Sequence, residues 1–195
     1  MMEQTKIVLV RHPETAANIN GVFVGRGDSP YTADGLLEFR RARRRIGALE
    51  PDGMWSSPLR RALALASASA RDCGLDVTID DDLQELDFGA VENMTLDQLH
   101  AAGLTLDYTS WDGPVAAGGE SRADIAARTA RAMHRIAGFG GTQVVVTHGG
   151  VFRAALVDLL GLPHEANWSF HIHNAQIAVV RVVDGHGMLE EFRQA

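Results

Sequence analysis

The chain has 195 residues, the length of one ordinary domain, and residues 1–195 are expected to form a single domain. Hydrophobic residues make up 46% and charged residues 22%, a globular balance that argues against disorder, collagen-like and coiled-coil architectures. The formal charge of −7 argues against nucleic acid or an anionic membrane as a partner held by bulk electrostatics, but not against a small anion in a locally basic pocket.

Met1 to Lys6 is polar and leads directly into a strand, without the long apolar core of a secretory signal. No apolar run approaches the ~18 residues of a membrane span, and the expectation is a soluble, cytoplasmic protein. Lys6 is the only lysine, so any phosphate or carboxylate site here must be built from arginine forks. Ile7 to Val10 is a short, continuous apolar run of the kind buried on both faces of a parallel sheet. Thr32 is placed to cap a helix from about Ala33 to Leu49, whose five arginines between Arg40 and Arg45 read as a solvated face. A second helix is expected from Leu59 to Cys73, ending before Gly74. Cys73 is the single cysteine, which excludes an internal disulfide and a cysteine-based zinc site.

Ser121 opens a third helix, Arg122 to Ala137, that stops at Gly138. Val144 to Thr147 repeats the buried-strand pattern, and Val151 to Leu160 is an apolar helix closed by Gly161 and Pro163. Gln176 to Val183 and Met188 to Phe192 flank Asp184-Gly185 as a hairpin, whose apolar edge at Ile177 to Val183 would suit a homodimer. Strands alternating with helices predict an α/β fold of three αβα layers, with a mainly parallel central sheet and helices on both faces.

His12 and His148 each follow the carboxyl end of a predicted buried strand. Ligands of open α/β sheets bind outside those ends, so neighbouring strands would turn both imidazoles into one crevice. With 17 arginines and eight histidines, an Arg-His dipeptide by itself carries no weight. Its place at a strand end is what gives it weight. Pro13 pushes His12 towards an extended backbone and removes one N–H from the crevice.

Leu9-Val10-Arg11-His12-Pro13-Glu14-Thr15, followed by Asn18, Gly25, Asp28, Ser29-Pro30, Thr32 and Gly35, resembles the opening of the histidine phosphatase (phosphoglycerate mutase-like) superfamily. Four further stretches resemble its elements in the expected order: Ser56 to Ala62, Leu83 to Gly89, Gly118 to Ser121 and Val146 to Val151. Two positions depart from the family pattern. Its usual Arg-His-Gly is Arg-His-Pro here, and its usual Glu-Gly is Glu92-Asn93.

The resemblance implies phosphoryl transfer with His12 as nucleophile, giving a phosphohistidine intermediate. Arg11 and Arg61 would clamp the phosphoryl oxygens, and His148 would donate to them. Glu85 would protonate the leaving alcohol and then deprotonate the attacking water. Asn18, Arg26 and Gly149 are candidate substrate-binding residues, and Ser57 would orient the nucleophile, His12, from behind. The arginines and histidines supply the positive charge, so neither metal nor cofactor is implied. The partner is a small phosphorylated metabolite.

Three functions compete on this reading: a phosphomonoester hydrolase, a mutase passing the phosphoryl group to a second alcohol, and an inactive phosphate-binding module. Family mutases usually carry a longer inserted segment. The short stretch from Gly89 to Gly118 favours hydrolysis, and only Arg-His-Pro points to an inactive module. Asp87 competes with Glu85 for the acid role, because both lie in one acidic stretch. His171 and His173 share one strand face without a third metal ligand. For the leaving group, Phe23, Arg26, Tyr31, Trp111 and Arg122 are candidates.

Overall fold

The computed structural model describes residues 4–195. Its strands are β1 (Gln4–Arg11), β2 (Val22–Phe23), β3 (Gly53–Ser56), β4 (Val77–Ile79), β5 (Met94–Thr95), β6 (Gly141–Thr147), β7 (Gln176–Val183) and β8 (His186–Gln194). The helices are α1 (Ala16–Ile19), α2 (Ala33–Gly47), α3 (Arg60–Cys73), α4 (Leu96–Ala101), α5 (Arg122–Ala137) and α6 (Gly149–Leu159). Six strands make one sheet in the order β4-β3-β6-β1-β7-β8, while β2 and β5 form a separate pair. The first four strands of that order and β8 run in one direction, and β7 alone runs antiparallel, between β1 and β8.

The apolar run of β1 is buried on both sides, as its composition predicts. Ile7 and Leu9 enter a core with α5 and α6, while Val8 and Val10 enter a second core with α2 and α3. Val145 and its neighbours Val144 and Val146 divide the same way. This period-two alternation puts helices on both faces of a mainly parallel sheet, which is the predicted three-layer α/β fold.

The caps lie where the sequence signals placed them. Thr32 Oγ1 accepts the Gly35 N–H at 2.9 Å, and Ser121 and Asp124 close a capping box on α5. Gly74 ends α3 in the left-handed conformation, φ 69°. One boundary matters for chemistry: α6 begins at Gly149, two residues before the predicted start, so the helix opens directly behind His148.

Chain direction creates the crevice. β1 continues to β3 on one side, whereas β6 continues through α6 to β7 on the other. Neighbouring strands whose connections diverge leave a gap beyond their carboxyl ends. The register pairs Arg11 with Thr147 and Ser56 with Val146, so His12, His148 and Ser57 emerge from three adjacent strands. No helix among the described residues is long and apolar enough to cross a membrane.

The expectation of an apolar hairpin edge is corrected. Ile177 to Val183 lies in β7, hydrogen-bonded to β1 on one side and to β8 on the other. Its apolar character reflects burial inside the sheet, and β8 is the edge strand.

Candidate active site

His12 is buried, and its Nδ1 lies 2.7 Å from the Pro13 carbonyl oxygen. A carbonyl only accepts, so Nδ1 carries the hydrogen and the lone pair of the neutral ring sits on Nε2. Burial, followed by the charges of Arg11 and Arg61, holds the His12 pKa well below the ordinary histidine range. The imidazole is therefore neutral and nucleophilic. Proline at 13 removes an N–H but keeps the carbonyl that fixes this tautomer.

The His148 ring centroid is 5.2 Å from that of His12. His148 Nε2 lies 2.8 Å from Ser57 Oγ, which also accepts the Leu59 N–H, so Ser57 orients His148 and not, as expected from the sequence, His12. Among the described residues the Ser57 hydroxyl has no other acceptor for its hydrogen, which therefore points to Nε2, and Nδ1 carries the ring hydrogen. Nδ1 is buried and has no hydrogen-bond partner among the described residues. It is a donor awaiting an acceptor. Burial first, then Arg61, His12 and Arg11, push the His148 pKa well down.

Arg11 donates from Nη1 to the Ile172 carbonyl at 2.7 Å, and its Nε is buried without a partner among the described residues. Arg61, at the start of α3, donates to the carbonyls of Gly25 and Gly27 and lies 3.7 Å from Asp28. Burial lowers both guanidinium pKa values, and the charge of Glu85 works against that lowering in both. Glu85 is thus an electrostatic neighbour of both clamps. Asn18 accepts at Oδ1 from the Thr15 N–H, the Thr15 hydroxyl and Asn174, which leaves its amide group as a donor.

Glu85 docks on the opening turn of α6: the Gly150 N–H lies 3.1 Å from Oε1 and 3.3 Å from Oε2. A Cβ on Gly150 would collide with that carboxylate and with Ile125. One on Gly149 would meet Arg11 Nε at an ordinary 3.6 Å. Gly150 is thus the glycine that leaves room for the Glu85 carboxylate, while Gly149 lies beside Arg11.

The loop carrying Glu85 is held by a residue that the sequence reading passed over. Buried Arg128, on α5, donates to the carbonyls of Asp82, Gln84 and Glu85 and to both carboxylate oxygens of Glu120. All five guanidinium N–H groups are thereby satisfied. Thr147 adds a bond from Oγ1 to the Leu83 carbonyl at 2.8 Å. Glu120 also accepts the Asp87 N–H at 3.0 Å, and its own pKa is lowered, with the Arg128 bond opposing the effect of burial.

Other sequence candidates fall elsewhere. Arg26 pairs with Glu120 at 3.0 Å and Asp87 at 3.5 Å. Asp87 caps the Gly89 N–H at 2.8 Å, a structural task distinct from that of Glu85. Phe23 packs on Phe88 and Tyr31 on Phe39, whereas Trp111 and Arg122 line a groove beside Glu85. His171 and His173 meet edge-on with ring centroids 4.3 Å apart, and no cluster of three or more metal-ligating side chains forms among the described residues. Asn93 has φ 64°, a left-handed conformation that asparagine tolerates better than other side chains. That accounts for asparagine at the family's glycine position.

Residues 7–194 match the model of the histidine phosphatase superfamily (branch 1), and the chain belongs to that family. It is 28% identical to the adenosylcobalamin/alpha-ribazole phosphatase of Escherichia coli K12, covering 94% of this chain and 97% of the relative. It is 30% identical to a protein of Salmonella paratyphi C named probable phosphoglycerate mutase GpmB, over 89% and 83% of the two chains. The solved structure of a mycobacterial glucosyl-3-phosphoglycerate phosphatase with VO3 superposes with a TM-score of 0.85 at 26% identity, over 97% and 99%. The chain is a histidine phosphatase family enzyme.

Proposed function

We propose that this enzyme hydrolyses the phosphomonoester of a small metabolite through phospho-His12. In the first step the Nε2 lone pair attacks phosphorus, the P–O bond to the alcohol breaks, and Glu85 gives its proton to the leaving oxygen. In the second step water attacks phosphorus, Glu85 takes back a proton, and the P–N bond breaks to release phosphate. Arg11, Arg61, the Asn18 amide and His148 Nδ1–H neutralise the equatorial oxygens as charge develops on them.

The observation that carries this reading is the His12 tautomer: Nδ1 is committed to the Pro13 carbonyl, and Nε2 is free within a ring of donors. Transfer to water rather than to a second alcohol is supported by the short segment between Gly89 and Gly118 and by the exposed rim of the neighbouring groove at Trp168. The test measures phosphate release and 3-phosphoglycerate isomerisation side by side, with acid-labile labelling of His12. Phosphate release and a label that is lost in His12→Ala are expected. Fast isomerisation with little free phosphate would make the enzyme a mutase. Absence of both turnover and label across a panel of phosphomonoesters would leave a phosphate-binding module.

A further inference from the structure

Beside the phosphate-binding ring lies a groove of about 810 Å³ that shares Arg11, Glu85, Gly149 and Gly150 with it. That volume is in the range of pockets that enclose drug-sized ligands, ~300–1,000 Å³, and far exceeds what a three-carbon phosphoester fills. Its floor is cut by small side chains. Ala123, Ala126, Ala127 and Ala130 occupy one face of α5 at i, i+3, i+4 and i+7, opposite Ala154 and Val157 of α6. Larger residues there would fill the space between the two helices, so the alanines keep the slot open.

The walls are aromatic. Tyr108 meets Trp168 edge-on at 5.3 Å, and Trp111 lies against His164 at 4.2 Å. Arg122 sits between the two indoles, 5.3 Å from Trp111 and 5.6 Å from Trp168, with Nη1 bonded to the Tyr108 carbonyl. The rings and one carbonyl face its charge, while its buried Nε has no hydrogen-bond partner among the described residues. Arg153 stands at the junction of slot and phosphate site, its Nε bonded to the Phe170 carbonyl. Trp168 remains 54% exposed, a large indole that a ligand in the slot would cover.

Taking the phosphatase reading as its basis, we propose that the preferred substrates are phosphate monoesters of alcohols bearing a flat aromatic ring system on a short spacer. The phosphate binds between Arg11, His12, Arg61 and His148, and the ring system lies on the alanine floor between the aromatic walls. A flat ring makes offset or edge contacts with the indoles of the walls, and these add to the gain from burial.

The test compares three phosphates of aliphatic alcohols, so that none gains from a better leaving group: 2-(1-naphthyl)ethyl phosphate, glycerol 3-phosphate and 3-phosphoglycerate. The naphthylethyl ester is expected to have a kcat/KM about 30-fold or more above the other two, the order given by burying roughly 100 Å² of aromatic surface. Ala126→Leu and Ala130→Leu fill the slot with a good helix former and should reduce that ratio about tenfold, leaving glycerol 3-phosphate within about twofold. Affinity is measured in parallel by calorimetry on His12→Ala, which cannot turn over.

Equal kcat/KM for the naphthylethyl and glycerol esters, or equal affinities in His12→Ala, overturns the proposal while phosphatase activity stands. Preference for 3-phosphoglycerate overturns it too, and assigns Arg153 to a substrate carboxylate. Tight, slot-dependent binding of the naphthylethyl ester without any turnover supports the slot and overturns the phosphatase reading instead.

Discussion

Arg128 and Glu120 face each other as a bidentate pair, with Nε–Oε1 and Nη2–Oε2 both at 2.9 Å. The pair does more than neutralise itself. The remaining donors of Arg128 fix the carbonyls of Asp82, Gln84 and Glu85, so one buried guanidinium sets the path of the loop that presents the acid. Lysine keeps the charge but cannot reproduce a planar five-donor fork. Arg128→Lys is expected to lower kcat for alkyl phosphates by about 100-fold, because displacement of a reacting group by an ångström costs that much. With p-nitrophenyl phosphate, whose leaving group needs no proton, the burst of phosphoenzyme formation should fall less than about tenfold. Equal losses with both substrates would reduce Arg128 to a role in folding alone.

Glycine at 150 is required by contact. A methyl group there would displace the Glu85 carboxylate from its N–H partner and press on Ile125. Gly150→Ala should reduce kcat by about 100-fold through misplacement of the acid, whereas Gly149→Ala should retain activity within about threefold. Steady-state rates on one alkyl phosphate distinguish the two, and equal effects would remove the steric assignment.

How much of this was legible beforehand follows from what each feature depends on. Strands β1 and β6 are buried on both faces, so their composition reveals them, and the histidines at their ends could be paired before any coordinates. Strands β3 and β4 span only four and three residues, too short for a periodic signal, and escaped notice. The pair β2–β5, two residues per strand, is a contact between distant loops that no local pattern encodes. Arg128 looked like any arginine on an Ala- and Arg-rich helix. Its partners are mostly backbone carbonyls more than 40 residues away, which leave no trace in side-chain spacing. Arg26 is likewise engaged by groups far off in sequence, the carboxylates of Asp87 and Glu120.

The two buried imidazoles make stability depend on pH. Burial holds both His12 and His148 well below the ordinary range in the folded state, while in the unfolded chain they titrate near ~6.5. Below that value the unfolded chain binds more protons than the folded one. Stability present above about pH 6.5 is therefore lost as pH falls towards the folded-state pKa values, at up to about 1.4 kcal/mol per pH unit for each ring. Urea unfolding between pH 7 and pH 5 should show this slope, and His12→Gln combined with His148→Gln should flatten it. An unchanged slope in the double variant would place the titration elsewhere.

Ser57 and His148 offer a check on the second tautomer. The serine hydroxyl is bonded to Nε2 at 2.8 Å, which directs the His148 Nδ1–H towards the substrate oxygens. Ser57→Ala frees the ring to adopt the other tautomer and leaves a buried nitrogen unpaired. A loss of about 1–3 kcal/mol in stability is expected from that orphaned group. Vanadate affinity should fall about tenfold, since one aimed donor is lost in part of the population. Affinity equal to the parent enzyme would mean that the ring is oriented by packing alone.

Proline beside the nucleophile is the most conspicuous departure from the family pattern, and the geometry limits what it changes. The group that His12 requires from residue 13 is a carbonyl, which proline and glycine supply equally. The missing N–H matters only if a phosphate oxygen would have used it. Pro13→Gly restores that N–H and relaxes the backbone. Its expected costs are about 1 kcal/mol of stability, through the greater entropy of the unfolded chain, and a change in kcat/KM of no more than about threefold. A rise of tenfold or more would show that the oxyanion lacks a donor in the natural sequence. A tenfold fall would show that the extended backbone imposed on His12 by proline is itself part of the positioning of Nε2.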